Sequence, residues 1–192
     1  MKKLSIFFLL HISLSLLSQN VQFYKENLSF SLTKTEFSVD GLYYFRNNNP
    51  DTIKQLLVYP FPQRPGLQDI KSVKANSLHP EVKGSALVNF NDNAATFRLT
   101  VFPFDTAIVH ISYLQSISGN YAEYILTTTQ KWGNPFEKAD YTLQLPINLR
   151  VDSLSYDADS ILITDGYLYY KFHYEDFMPQ KNFSVFFSEI PQ

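Results

Sequence analysis

Hydrophobic and polar residues alternate with a period of two along several stretches of the chain. Between residues 37 and 46, Phe37, Val39, Gly41, Tyr43 and Phe45 form one set, and the positions between them include serine, aspartate and arginine. The same alternation recurs at 96–101, 141–145 and 183–188. Because successive side chains of a β-strand point to opposite faces of a sheet, this period predicts strands that place one face in a core.

Turn-forming sequences separate the alternating stretches. Asn47-Asn48-Asn49-Pro50-Asp51 predicts a turn between strands. Hairpins are predicted at Asn91-Asp92-Asn93, Ser118-Gly119-Asn120 and Asp165-Gly166. A sustained helical period is missing, and 134–139 predicts a single helical turn at most. About twelve strands are predicted, with one or two neighbours merging, near 22–32, 35–46, 53–60, 69–75, 86–90, 94–103, 106–115, 121–129, 139–146, 149–156, 160–164, 167–174 and 182–189. This spacing is typical of an all-β fold, an antiparallel two-sheet β-sandwich of about 10–13 strands.

Composition supports strands and excludes several kinds of site. The 17 Phe and 13 Tyr residues favour a pleated, half-buried surface over a helical one. The chain has no cysteine, which excludes disulfides, thiolate metal sites and thiol nucleophiles. Its 16 Lys and Arg residues are scattered, so we expect neither nucleic-acid binding nor a polybasic membrane surface.

The first 18 residues have the order of a secretory signal peptide. Lys2 and Lys3 precede an apolar run from Leu4 to Leu17, and Ser18 offers a small residue for cleavage. The run is shorter than the roughly 20 apolar residues that span a membrane. We therefore predict a signal peptide at 1–18 and a single β-sandwich domain at 19–192 without a membrane span, secreted or periplasmic. An uncleaved anchor is the alternative.

The polar side chains show no recognisable catalytic or metal-binding pattern. His79, His110 and His173 lack a second histidine at the spacing that metal motifs use. Asp157-Ala158-Asp159-Ser160 has alternating oxygen ligands but lacks the glycine and terminal glutamate of a calcium loop, which favours a solvated turn. A Gly-x-Ser-x-Gly elbow and a phosphate-binding glycine loop are also missing. We expect no catalytic residue, no metal and no cofactor.

Aromatic side chains outside the predicted core are the remaining candidates for binding. Trp132 follows the strand predicted at 121–129, and Tyr44, Tyr167 and Tyr169 fall opposite the core faces of their strands. Exposed rings of this kind can stack on sugars or anchor a protein partner. They can equally form a second packing layer, because apolar surface is common on ordinary proteins.

Two stretches resemble known domains. Gly41-Leu42-Tyr43-Tyr44-Phe45-Arg46-Asn47, followed by Tyr59-Pro60-Phe61-Pro62, resembles the opening of the vault/inter-alpha-trypsin (VIT) domain, where a strand ends in an Asn turn and the next strand ends Phe-Pro-Leu-Pro. The run from Tyr124 to Thr129, with Trp132, Pro135 and Ala139, is similar to secreted bacterial β-sandwich families that share that opening. The resemblance implies a β-sandwich and supplies no catalytic residue.

The sequence therefore predicts an exported, non-catalytic β-sandwich that acts as a protein-binding or structural module of the cell envelope. Its expected partner is an envelope or extracellular protein, which loops or an aromatic strand face would contact. A carbohydrate-binding module, with a glycan as its ligand, is one alternative. A hydrolase whose carboxylate pair has no sequence signature is the other.

Overall fold

A computed structural model describes residues 21–191, which form thirteen strands and one short 3-10 helix. The signal peptide predicted at 1–18 lies outside these residues. The strands are β1 (Val21–Leu32), β2 (Glu36–Asn47), β3 (Ile53–Pro60), β4 (Leu67–Ser77), β5 (Leu87–Phe90), β6 (Ala94–Val101), β7 (Thr106–Ile117), β8 (Tyr121–Tyr124), β9 (Phe136–Pro146), β10 (Leu149–Leu154), β11 (Ser160–Thr164), β12 (Tyr167–Phe177) and β13 (Phe183–Glu189). The 3-10 helix is Thr127–Trp132. Within 21–191, no helix is long and apolar enough to cross a membrane.

Seven strands form one large sheet in the order β11-β12-β9-β1-β2-β7-β4. Its ladders are antiparallel except that between β1 and β9, which is parallel and aligns Leu28 with Tyr141. A parallel pair needs a long crossover connection. Here the connection from β1 to β9 contains β2, β4 and β7 of the large sheet and β3, β5, β6 and β8 of the smaller sheets, and the chain enters β9 after β8 and the 3-10 helix.

Two three-stranded sheets pack on the large sheet, β10-β13-β8 and β3-β6-β5. The first covers the β1/β9 half, where the ring of Phe183 stacks on that of Phe30 with centroids 4.5 Å apart. The second covers the β2/β7 half, where Phe61, just after β3, lies 5.0 Å from the ring of Tyr113. These contacts form one aromatic-rich core.

A β-bulge in β1 reverses the side-chain alternation of that strand. Before it, Val21 and Phe23 face the core, and after it Leu28 and Phe30 do so. The register with β2 shifts between Phe23 and Lys25. A bulge inserts one unpaired residue and re-aims the side chains that follow. As a result Glu26 points into the core and is only 1% exposed.

The all-β, sandwich-like prediction is confirmed, and each predicted strand has a counterpart. Three details differ. The strand predicted at 121–129 ends at Tyr124, and the helical turn lies at Thr127–Trp132 because β9 already begins at Phe136. Ser118-Gly119-Asn120 is not a hairpin, since it joins β7 and β8 of different sheets. The Asp165-Gly166 hairpin is confirmed, with positive φ at both residues.

Candidate functional site

A cavity of about 300 Å³ lies where the three sheets meet. Its walls come from β1 and β2 of the large sheet, from β3 and β6 of one small sheet, from β8 of the other, and from the 3-10 helix. No strand ladder joins the two small sheets within residues 21–191, so their junction leaves room above the centre of the large sheet. The lining residues are Phe23, Glu26, Tyr43, Phe45, Leu57, Val58, Tyr59, Pro60, Phe97, Tyr124, Ile125, Thr128, Thr129, Lys131 and Trp132.

Glu26 places a carboxyl group in this otherwise largely apolar cavity. Its Oε1 accepts a hydrogen bond from the Tyr141 hydroxyl at 2.5 Å. None of the ion pairs within residues 21–191 involves Glu26, although the chain has paired acids elsewhere, such as Glu137 with Arg46. Burial disfavours the charged form and raises the pKa of Glu26 from 4.5 to about 8, against the smaller opposing effect of the Tyr141 hydrogen bond. The carboxyl is therefore mostly protonated at neutral pH.

Three tyrosine hydroxyls meet near Glu26. The Tyr43 hydroxyl lies 2.8 Å from that of Tyr59 and 3.1 Å from that of Tyr124, so the three form a short hydrogen-bonded chain across all three sheets. Burial, the largest cause, raises the pKa of all three phenols far above the ordinary range, and they stay neutral. The cavity thus combines neutral hydroxyls with one titratable acid.

Gly41 makes room for this arrangement. A Cβ at position 41 would lie 2.6 Å from Cε2 and 2.7 Å from the hydroxyl of Tyr43, and 2.7 Å from Leu28. Real Cβ atoms essentially never come so close. The glycine therefore lets the Tyr43 ring lie back over the strand, which brings its hydroxyl to Tyr59 and Tyr124.

Trp132 closes one side of the cavity. It ends the 3-10 helix, and its ring packs edge-on against Phe23 at 5.7 Å and tilted against Phe45 at 5.6 Å. Gly133 follows with φ 76°, a left-handed conformation that ends the helix and turns the chain toward β9. Lys131 is exposed at the rim. The result is an aromatic pocket with one acid at its base and one lysine at its mouth.

The structure does not bring together the four residues singled out from the sequence. Trp132 lines the cavity, whereas Tyr44, Tyr167 and Tyr169 lie on the opposite, outer face of the large sheet. Strands β9 and β1 separate Tyr44 from the other two. Tyr44 already carries the ammonium of Lys25 over its ring at 4.6 Å. Tyr167 and Tyr169 are neighbours, with ring centroids 6.5 Å apart.

The histidines pair with acids at the surface. His110 Nε2 lies 2.9 Å from Asp40 and His173 Nδ1 lies 2.6 Å from Asp140. Asp159, from the segment considered as a calcium loop, accepts the backbone N–H of His173. No group of three or more His, Asp or Glu side chains in the described part of the chain is placed to hold a metal ion.

Sequence reasoning missed Glu26 and the tyrosine cluster. One signal was available. Val21 and Phe23 are out of phase with Leu28, Phe30 and Leu32, so the apolar face of the strand must switch between them, and Glu26 is in phase with the later set. A glutamate in phase with the core face of a strand predicts a buried acid. That three sheets would enclose it could not be read from local alternation.

Comparisons with known proteins show the fold. No family model matches the chain and no curated protein does, so the VIT resemblance stays a prediction. A "putative nutrient binding protein" from Legionella pneumophila matches 88% of this chain and 67% of its own, with a TM-score of 0.68 and 14% identity. The M1 zinc metallopeptidase of Deinococcus radiodurans, solved with a Tyr-Ser-Ala substrate, matches with a TM-score of 0.53 and 12% identity. This chain covers 43% of that peptidase, and a two-domain M1 zinc metallopeptidase bound to L-tryptophan matches with a TM-score of 0.52.

Proposed function

We propose that the protein is a non-enzymatic, exported binding module whose small ligand occupies the cavity between the three sheets. The observation that carries the proposal is the cavity itself. Small-molecule sites are concave, mostly apolar, about 300–1,000 Å³ in volume, and carry a few convergent polar groups. Here aromatic walls surround Glu26 and the hydroxyls of Tyr43, Tyr59 and Tyr124.

Two further observations support this function. The Legionella neighbour, similar in fold over most of the chain, is described as a nutrient-binding protein, which is compatible with a binding module. The basic and apolar start of the sequence supports export, where such a module would meet its ligand. The proposal narrows the binding-module prediction to a small molecule and moves its site from the outer tyrosines to the cavity that contains Trp132.

The single tryptophan makes the proposal directly testable. Trp132 is the chain's only Trp and it lines the cavity, so its fluorescence reports on a ligand there. We expect that a screen of small metabolites against the purified mature chain yields a compound that shifts this emission, with saturable binding by calorimetry. A screen in which no compound binds would contradict the function.

A matched pair of variants locates the binding site. Thr128 lines the cavity, and Thr142 is equally half-buried but belongs to β9 on the outer face of the large sheet. Thr128→Phe should fill the cavity and abolish binding of a compound found in the screen, and Thr142→Phe should leave its affinity within about twofold. Equal affinity in both variants would place the ligand elsewhere.

A second candidate function, protein binding by strand addition, is favoured by strand β11. This strand is an edge of the large sheet, and Ile161, Leu162 and Ile163 are exposed on both of its faces, Ile163 by 73%. An exposed apolar edge is a template for an added strand. The partner would be an extended segment with alternating apolar side chains.

This candidate has its own test. Cross-linking in envelope extracts should retrieve one reproducible protein with the wild type. Ile163→Lys, which places a charge on the exposed edge, should lose that protein, while Tyr167→Lys, at a side chain that is already exposed, should keep it. Equal recovery with both variants would dismiss the edge as the docking site.

A further inference from the structure

Among residues 21–191, no cationic side chain forms an ion pair with the acid at the base of the cavity. Glu26 is 1% exposed and lines the cavity, and its carboxyl accepts a hydrogen bond from the Tyr141 hydroxyl. A buried carboxylate without a counter-charge is expensive, and such groups are normally paired. By contrast Glu123, also buried, is held by Arg64, Tyr121 and Asn182.

The walls around this acid are those that suit a cation. Ring faces carry negative electrostatic potential and attract ammonium groups within about 6 Å, more strongly when water is excluded. Phe23, Phe45 and Trp132 pack on one another at the cavity wall, with Phe23 and Phe45 only 4.8 Å apart. The rings of Tyr43 and Tyr124 continue the lining.

We propose that the cavity takes an organic monocation, an amine with an apolar or aromatic body, whose ammonium pairs with the Glu26 carboxylate among the aromatic rings. This inference rests on the proposed function and names its ligand class. The body would lie against the rings of Phe45 and Trp132. An anion would meet the acid and the ring faces unfavourably, and a neutral ligand would gain no charge pairing.

Glu26 is the acid whose charge changes with pH in this cavity, because the phenols that face it stay neutral. Tyr141 of β9, Tyr43 of β2, Tyr59 of β3 and Tyr124 of β8 are phenols kept neutral by burial. Lys131 lies at the exposed rim, where solvent screens its charge. An ammonium that binds must therefore displace the proton of Glu26.

This displacement makes the affinity depend on pH. With a Glu26 pKa of about 8, about 1% of the carboxyl is ionised at pH 6 and about half at pH 8. Because only the ionised form pairs with the cation, the affinity should rise about 50-fold between these values. An alkylammonium stays charged over this range, as the lysine side chain does.

Three compounds of similar shape test the charge preference: 2-phenylethylamine, 2-phenylethanol and phenylacetate. At pH 8 we expect the amine to bind the wild type at least tenfold more tightly than the alcohol, and phenylacetate more weakly than both. Calorimetry at pH 7 in buffers of different ionisation enthalpy should show about one proton released per amine bound and none for the alcohol. These measurements on the wild type need no variant.

A conservative variant tests the residue. Glu26→Gln should bind amine and alcohol equally, without the pH dependence, and circular dichroism would verify its fold. Trp132→Leu should weaken the amine more than the alcohol. Equal wild-type affinities for amine and alcohol, or an unchanged amine affinity in Glu26→Gln, would overturn the ligand class while leaving the binding function standing. If none of the three compounds binds, the ligand class fails, and the metabolite screen decides the function separately.

Discussion

Replacing Glu26 by Gln should remove a large pH dependence of stability. Burial raises the pKa of Glu26 from 4.5 to about 8, so the folded state holds a proton that the unfolded chain releases. The linkage relation then makes the wild type lose stability as pH rises. Below pH 4.5 Glu26 is protonated in both states and does not lower the stability of the fold. The free energy of unfolding then decreases progressively up to about pH 8, and the loss is constant above that pH. Glutamine keeps the oxygen that accepts the Tyr141 hydrogen bond and cannot ionise.

The magnitude follows from the raised pKa. Since one pKa unit corresponds to about 1.4 kcal/mol, ionising Glu26 costs the folded state about 5 kcal/mol relative to the unfolded chain. Water entering the cavity lowers this cost, which makes the figure an upper bound. Domains are stable by only about 5–15 kcal/mol, so the loss is large enough to measure.

The assay is urea unfolding of both proteins at intervals from pH 5 to pH 9. The two proteins share every other titratable group, so the difference between their free energies of unfolding isolates the effect of residue 26. We expect the two to be nearly equally stable at pH 5, and Glu26→Gln to become the more stable by several kcal/mol at pH 9. A difference in the free energy of unfolding that stays constant from pH 5 to pH 9 would refute the conclusion that Glu26 is buried without a counter-charge.

Glu137 supplies a matched control. It is half-exposed, and hydrogen bonds from Arg46 hold its pKa below the usual range, the opposite direction to Glu26. The stabilisation that the Glu137–Arg46 pair gives the fold is present above the ordinary glutamate pKa and is lost as pH falls below it. Glu137→Gln should therefore cost less than about 1 kcal/mol, as surface pairs do, with no trend between pH 5 and pH 9.

Three further substitutions test the packing around the cavity. Gly41→Ala should displace Tyr43 and cost about 1–3 kcal/mol in urea unfolding, with weaker binding of any cavity ligand; unchanged stability would contradict the close approach. Phe30→Ala, which removes the ring stacked on Phe183, should cost about 3–5 kcal/mol, and a loss below 1 kcal/mol would be inconsistent with this core. Asn47→Ala, which removes buried amide bonds to the carbonyls of 51, 101 and 102, should cost about 1–3 kcal/mol; a melting temperature equal to the wild type's would contradict it.

Strand positions could be predicted because alternation is a local property. Phe37, Val39, Tyr43 and Phe45 share one face in both the sequence pattern and the structure. The Asp165-Gly166 turn has the positive φ that its residues allow. The segment after Tyr124 was harder, because its run of threonines suits a strand. It forms a 3-10 helix that positions Trp132 against Phe23 and Phe45.

Partner strands and the candidate site depend on contacts between residues far apart in the chain. The parallel pairing of β1 with β9 joins Leu28 to Tyr141, and the hydroxyl chain joins Tyr43 to Tyr124, 81 positions later. The outer tyrosines Tyr44 and Tyr169 illustrate the same limit. Alternation places both on a polar face, but the order of strands in the sheet keeps them apart.

The sequence by itself determined an all-β chain, the positions of its strands and the faces that most of them bury, because period-two alternation and turn residues act over a few neighbours. The tertiary structure decided how the strands join into three sheets and where those sheets leave a cavity. It also showed that a bulge in β1 turns Glu26 into that cavity. A bulge and a sheet junction are settled by which strands pair, and that pairing is decided by packing across the whole core.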